Sequence, residues 1–81
     1  MTIRLRFFAA LRERLKTSEA TRDVPAGASP ADVWSALCRE HPELVPLSGS
    51  MSFAVNREYV DRLHCLHEGD ELALIPPVSG G

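Results

Sequence analysis

The sequence predicts an α+β roll, in which a mixed sheet is covered by one main helix, and three observations carry that expectation. Residues Thr2 to Phe8 alternate apolar and charged side chains. A capping sequence at Ser29 opens an amphipathic helix, and a Gly69-Asp70 turn feeds a final apolar run from Glu71 to Ile75. Strands placed before and after a single covering helix are the pattern of an α+β layer. With 81 residues, 44% of them hydrophobic and 25% charged, the chain has room for one small core spanning residues 1–81 and for no second domain.

In the first strand, Ile3, Leu5 and Phe7 share one face while Arg4 and Arg6 take the other, as expected where one face is buried. From Ala9 to Lys16 the spacing changes to Leu11 and Leu15 at i and i+4, with Arg12, Glu13, Arg14 and Lys16 opposite, which predicts a short amphipathic helix. Glu19 to Val24 alternates more weakly, with Ala20 and Val24 expected inside, and its charges suit a sheet edge. Pro25-Ala26-Gly27-Ala28 is a turn or loop. The main helix then starts at Ser29-Pro30-Ala31-Asp32, where serine is the N-cap, proline the first helical residue and aspartate the reciprocal partner of a capping box. Val33, Trp34, Leu37 and Cys38 form its apolar face, and His41-Pro42 ends it. Residues 43–50 read as an irregular connection. Met51 to Val55 is a strand, Asn56-Arg57-Glu58 a turn into Tyr59-Val60, and His67-Glu68-Gly69-Asp70 a turn with glycine at a positive φ.

After the last strand come Pro76 and Pro77, then Val78-Ser79-Gly80-Gly81. Two prolines remove two N–H donors and fix φ near −65°, so the strand stops and the remaining residues leave in extended form. Fully extended, residues 76–81 reach roughly 20 Å. Glycine has no Cβ and passes through channels too narrow for a side chain. The pattern points to the main-chain carboxylate of Gly81 as the reactive group, with Gly80 as its slender neighbour. A carboxylate is a poor electrophile, so it needs activation as an acyl-adenylate by a second protein. Termini are commonly loose, yet at a glycine frequency of about 7% two final glycines arise by chance in roughly one chain in two hundred.

Several function classes are set aside by composition. A net charge of −2 without a basic stripe argues against nucleic acid as the main partner. Apolar runs are only a few residues long and the start lacks a signal-peptide core, which implies no membrane span and a cytoplasmic location. Cys38 and Cys65 are too few for a disulfide framework and read as free thiols in a reducing compartment. His64, Cys65 and His67, with His41 and Cys38, lack the paired spacing of a zinc site, so no metal is expected. Two cysteines also fall short of the four that a plant-type iron–sulfur cluster needs. A Cys–His nucleophile from Cys65 has no accompanying oxyanion or pocket signal. Arg4, Arg6, Arg12 and Arg14 read first as a solvated face, and Trp34 as a core residue.

Phe7-Phe8-Ala9 leading to Leu11-Arg12-Glu13, then Ala54-Val55-Asn56, and above all Gly69-Asp70-Glu71 followed by Pro76-Pro77-Val78-Ser79-Gly80-Gly81, resemble the small subunits of molybdopterin synthases. These are ubiquitin-like β-grasp sulfur carriers, and the resemblance covers the whole chain. It implies a β-grasp fold with a flexible C-terminal Gly-Gly tail. It further implies that an adenylating enzyme of the ubiquitin-activating type uses ATP to form a glycyl adenylate on Gly81. A sulfur donor then converts this to a thiocarboxylate, a 1-thioglycine. The tail enters a large catalytic subunit, in an expected heterotetramer, and sulfur passes to cyclic pyranopterin monophosphate to form the molybdopterin dithiolene. The small subunit binds no cofactor and catalyses nothing alone. Phe7, Leu74, Ile75, Pro76, Pro77, Val78 and Ser79 are its candidate partner-binding residues. Many members carry an aromatic pair before the prolines where this chain has Leu74-Ile75, so apolar character is kept while shape differs. The alternatives are sulfur carriers for thiamine, tRNA thiolation or cysteine synthesis, which share the terminal Gly-Gly, and a ubiquitin-like modifier joined to lysine.

Overall fold

The computed structural model describes residues 1–77; Val78, Ser79, Gly80 and Gly81 lie outside the described residues. Five strands form one mixed sheet: β1 (Thr2–Phe7), β2 (Glu19–Asp23), β3 (Ser52–Val55), β4 (Glu58–Val60) and β5 (Glu71–Ile75). Their order across the sheet is β2-β1-β5-β3-β4. The β1–β5 pair is parallel and the other pairs are antiparallel. Among the described residues, two α-helices, α1 (Ala9–Leu15) and α2 (Pro30–Glu40), and a 3-10 segment complete the fold.

The apolar alternation of β1 places Ile3, Leu5 and Phe7 in the core, 0 to 4% exposed, together with Leu72 and Leu74 of β5 and Phe53 and Val55 of β3. Against this face lies α2, whose Val33, Trp34 and Leu37 are buried in the same cluster. Its start has the predicted chemistry. The Asp32 N–H donates to Ser29 Oγ at 3.2 Å, and the Ser29 N–H donates to Asp32 Oδ2 at 3.0 Å, with Pro30 opening the helix. These two bonds satisfy amide groups that the first helical turn cannot pair internally. Pro42 then prevents continuation past His41.

Two sequence expectations change. Residues 43–50 are not an irregular connection but part of a 3-10 helical segment, Pro42–Ser50, that buries Leu44 completely. Pro42 supplies a helical φ at the start, and Pro46 inside the segment lacks the N–H that a continuous α-helix would donate there, so the segment stays in short 3-10 turns. Trp34 Nε1–H donates to Ser48 Oγ at 2.8 Å, tying this segment to α2. Ala20 is exposed, although it pairs with the buried Leu5 and shares its face. Its methyl group is too short to reach α2 from the edge strand. Arg22, the next residue on that face, reaches instead: its two terminal nitrogens donate to Glu40 at 2.6 and 2.7 Å. Val24, the other expected inward residue, is half-buried against the core.

Candidate functional site

The end of β5 is the site toward which the fold is built. This strand is central, with β1 on one side and β3 on the other. Its two faces divide cleanly by parity. Leu72 and Leu74 are fully buried beneath α2, while Glu71, Ala73 and Ile75 are half-buried on the face opposite. Ile75 makes the last rung of the ladder, opposite Ser52 of β3, and Phe7 closes the parallel ladder opposite Leu74. Pro76 follows buried and Pro77 exposed. Because neither proline has an N–H, the ladder ends where the chain leaves the domain.

This geometry sorts the expected partner-binding residues. Phe7, 4% exposed, and Leu74, 0% exposed, are core side chains. The period of two turns both into the core. Ile75 and Pro77 are accessible, and Pro76 anchors the exit. Val78, Ser79, Gly80 and Gly81 are outside the described residues, so their contacts form no part of this geometry.

The entry to β5 is fixed by a polar network that sequence reasoning did not assemble. Asn56 Nδ2 donates to Asp70 Oδ1 at 3.0 Å, the Glu71 N–H donates to Asn56 Oδ1 at 3.1 Å, and the Asn56 N–H donates to the Glu71 carbonyl at 2.9 Å. The His67 N–H donates to Asp70 Oδ2 at 2.8 Å. Burial pushes the Asp70 carboxyl up, but the His67 and Asn56 bonds, with the nearby His67 and His64 charges, outweigh it and hold the carboxyl below its ordinary value. Asn56 and Arg57 stand at φ +51° and +73°, the left-handed pair that a tight hairpin between β3 and β4 requires. Asn56 thus serves the hairpin and β5 at once. The sequence offers no local signal for this network, since Asn56 and Asp70 lie 14 residues apart and meet only in the finished sheet.

The sheet face away from α2 is otherwise built from Arg4 and Arg6 of β1, Ala73 of β5, Ala54 of β3 and Tyr59 of β4, which the register aligns in rows. Tyr59 is 74% exposed. Arg4 makes a loose 3.8 Å ion pair with Glu71, and Arg6 stacks on the Phe8 ring with its Cζ 5.4 Å from the ring centre. Cys38 is half-buried and Cys65 exposed, both as free thiols. Among the described residues, no group of three or more His, Cys, Asp or Glu side chains is placed to hold a metal ion. No helix among them is long and apolar enough to cross a membrane.

Comparison with known proteins agrees with this architecture. The molybdopterin synthase sulfur carrier subunit of Chlamydomonas reinhardtii is 37% identical over 83 residues, covering 100% of both chains. SAMP1, the small archaeal modifier protein 1 of Haloferax volcanii, superposes with a TM-score of 0.82 at 31% identity, again over 100% of both chains. A chain in the complex of subunits 1 and 2 of molybdopterin-converting factor from Helicobacter pylori matches with a TM-score of 0.66 at 28% identity, over 100% of both. The ubiquitin-like β-grasp fold expected from the sequence is therefore the observed one. The ThiS family model matches residues 5–81, from the middle of β1 through the terminal glycines, and the chain belongs to the ThiS family.

Proposed function

We propose that this chain is the sulfur carrier subunit of a molybdopterin synthase, acting in the cytoplasm. The observation that carries the reading is the full-length match to a sulfur carrier subunit, which includes the strand, the two prolines and the terminal Gly80-Gly81. In this reading an adenylating enzyme activates the Gly81 carboxylate with ATP, so that AMP becomes the leaving group and a sulfur nucleophile can displace it. The resulting thiocarboxylate is carried on a thin tail into the large subunit and gives its sulfur to cyclic pyranopterin monophosphate. The domain supplies no catalytic group to this chemistry; it holds the tail at a fixed point and docks. The complex of subunits 1 and 2 seen for the Helicobacter pylori protein supports a large-subunit partner.

The test is the intact mass of the chain after incubation with its activating enzyme, ATP and a sulfur source, with and without Gly81. Replacement of one oxygen by sulfur is expected only when Gly81 is present, and the chain lacking Gly81 is expected to keep its fold because every strand and the core cluster among the described residues remain in it. Sulfur transfer by the shortened chain would overturn the mechanism. A second reading, attachment to lysine as a protein modifier, draws on the likeness to SAMP1. Isopeptide-linked conjugates of the tagged chain in a lysate, without conversion of the pterin precursor, would favour it. If the thiocarboxylate forms but the precursor is not converted, the carrier belongs to another sulfur pathway.

A further inference from the structure

Among the described residues, Arg6 is the one side chain near the tail exit whose placement the isolated domain does not explain. It lies on β1 opposite Ala73 of β5, on the face that α2 leaves uncovered. Its Nε is buried and has no hydrogen-bond partner. Glu19 is its register partner across the β1–β2 ladder, yet the ion pairs among the described residues involve Arg4, Arg22 and His41 instead. The Phe8 ring holds the guanidinium from one side, a cation–π contact that orders it without using its donors. A depression of about 280 Å³ beside it is lined in part by Arg4, Arg6, Glu19, Thr21 and Glu71. A buried arginine donor without an acceptor is uncommon in a finished structure, because the group has lost water and gained nothing in return.

We propose that Arg6, ordered by Phe8, is a docking residue that takes a side-chain carboxylate of the large subunit which receives the tail. This rests on the carrier reading and names the partner chemistry of its docking face. Phe7 and Leu74 close the β1–β5 ladder together, so Phe8 sits beside the rung from which the tail departs. A contact made there sets the direction of the tail as well as the affinity. The ligand is a single carboxylate and not a polyanion, because Glu19 and Glu71 rim the same depression and would repel a dense negative charge. The guanidinium fork matches a carboxylate in a bidentate manner, which lysine cannot do. On engagement the side chain rotates off its covered pose, and Nε gains its missing acceptor.

The experiment titrates the purified large subunit with the full chain and with Arg6→Gln, Arg6→Lys and Arg6→Glu, at low and moderate salt, alongside a thermal melt of each small subunit alone. Arg6→Glu is expected to weaken binding roughly tenfold or more, as inversion of an interfacial charge pair does. Arg6→Gln should flatten the salt dependence seen with arginine, and Arg6→Lys should restore only part of the affinity. Arg6→Gln and Arg6→Lys should melt no lower than the unaltered chain, since the arginine leaves a donor unsatisfied in the free domain, whereas Arg6→Glu, set opposite Glu19, should melt lower by like-charge repulsion. Affinities within about twofold of one another, the range of an ordinary exposed charge, would overturn the proposal. So would a loss of binding that follows a loss of folding in Arg6→Gln. An unaltered chain that neither binds the large subunit nor acquires sulfur removes the carrier reading and this contact together; one that binds and loads while Arg6→Glu binds equally removes only the contact.

Discussion

Asp70 shows how one carboxylate can define where a functional strand begins. It accepts from the His67 N–H and the Asn56 amide, while Gly69, at φ +81°, donates its N–H to the Thr2 carbonyl at 2.9 Å. The glycine was readable because a turn with a positive φ has a strong residue preference. The Asn56–Asp70 bond was not, since it joins residues 14 apart whose meeting depends on the finished sheet. Asp70 has a folded-state pKa below its unfolded value, so its contribution to stability is present above the unfolded pKa and is lost as pH falls through the folded one. Glu40 follows the same sign, because its hydrogen bonds from Arg22 lower its pKa against the opposing effect of burial. Denaturant unfolding should therefore show stability falling as pH drops below about 4, the unfolded carboxylate range. In Asp70→Asn the difference between pH 6 and pH 3 should shrink; an unchanged difference would show that Asp70 is not a source of the acid sensitivity.

The elements with strong local signals were legible almost to the residue. Alternation gave β1, and Ser29-Pro30-x-Asp32 gave the start of α2, because both patterns are satisfied by neighbours in sequence. Leu44 and Leu66 were illegible as core residues. Each lies near other apolar residues in a segment without clear periodicity, Leu44 beside the exposed Val45 and Leu66 three residues after the exposed Leu63, so nothing local singles it out, and each is buried only because the chain returns: the Leu66 N–H, for example, donates to the Ala28 carbonyl at 2.9 Å. Ala20 failed for the opposite reason, since its parity was right but its side chain was too small for an edge position. The helix cap lends itself to measurement. Ser29→Ala removes the acceptor for the Asp32 N–H and should lower stability by about 1 kcal/mol in denaturant titration. Asp32→Asn should cost less, because the serine half of the box remains. If Ser29→Ala were neutral, the box would be a geometric coincidence and α2 would be held by its apolar face alone.

For the molecule as a whole, β5 is both the centre of the core and the base of the tail, and the alternation of its side chains separates the two tasks. Leu74 and Ile75 are adjacent in sequence and were indistinguishable there as apolar residues before a proline pair. In the sheet, Leu74 is 0% exposed under α2 and Ile75 is half-buried on the opposite face. A domain this small rarely has more than about 3–5 kcal/mol of net stability from its core. Leu74→Ala should cost about 2–5 kcal/mol and leave much of the population unfolded near physiological temperature. Ile75→Ala removes a side chain that the fold only partly covers, so its melting temperature should fall much less. Its effect should appear instead in binding to the large subunit, next to the point where Pro76 and Pro77 release the tail. Measuring melts and large-subunit affinity for both variants tests this division directly. Equal destabilisation by the two would place Ile75 in the core after all, whereas a stable Ile75→Ala that binds as well as the unaltered chain would move the docking surface away from the end of β5.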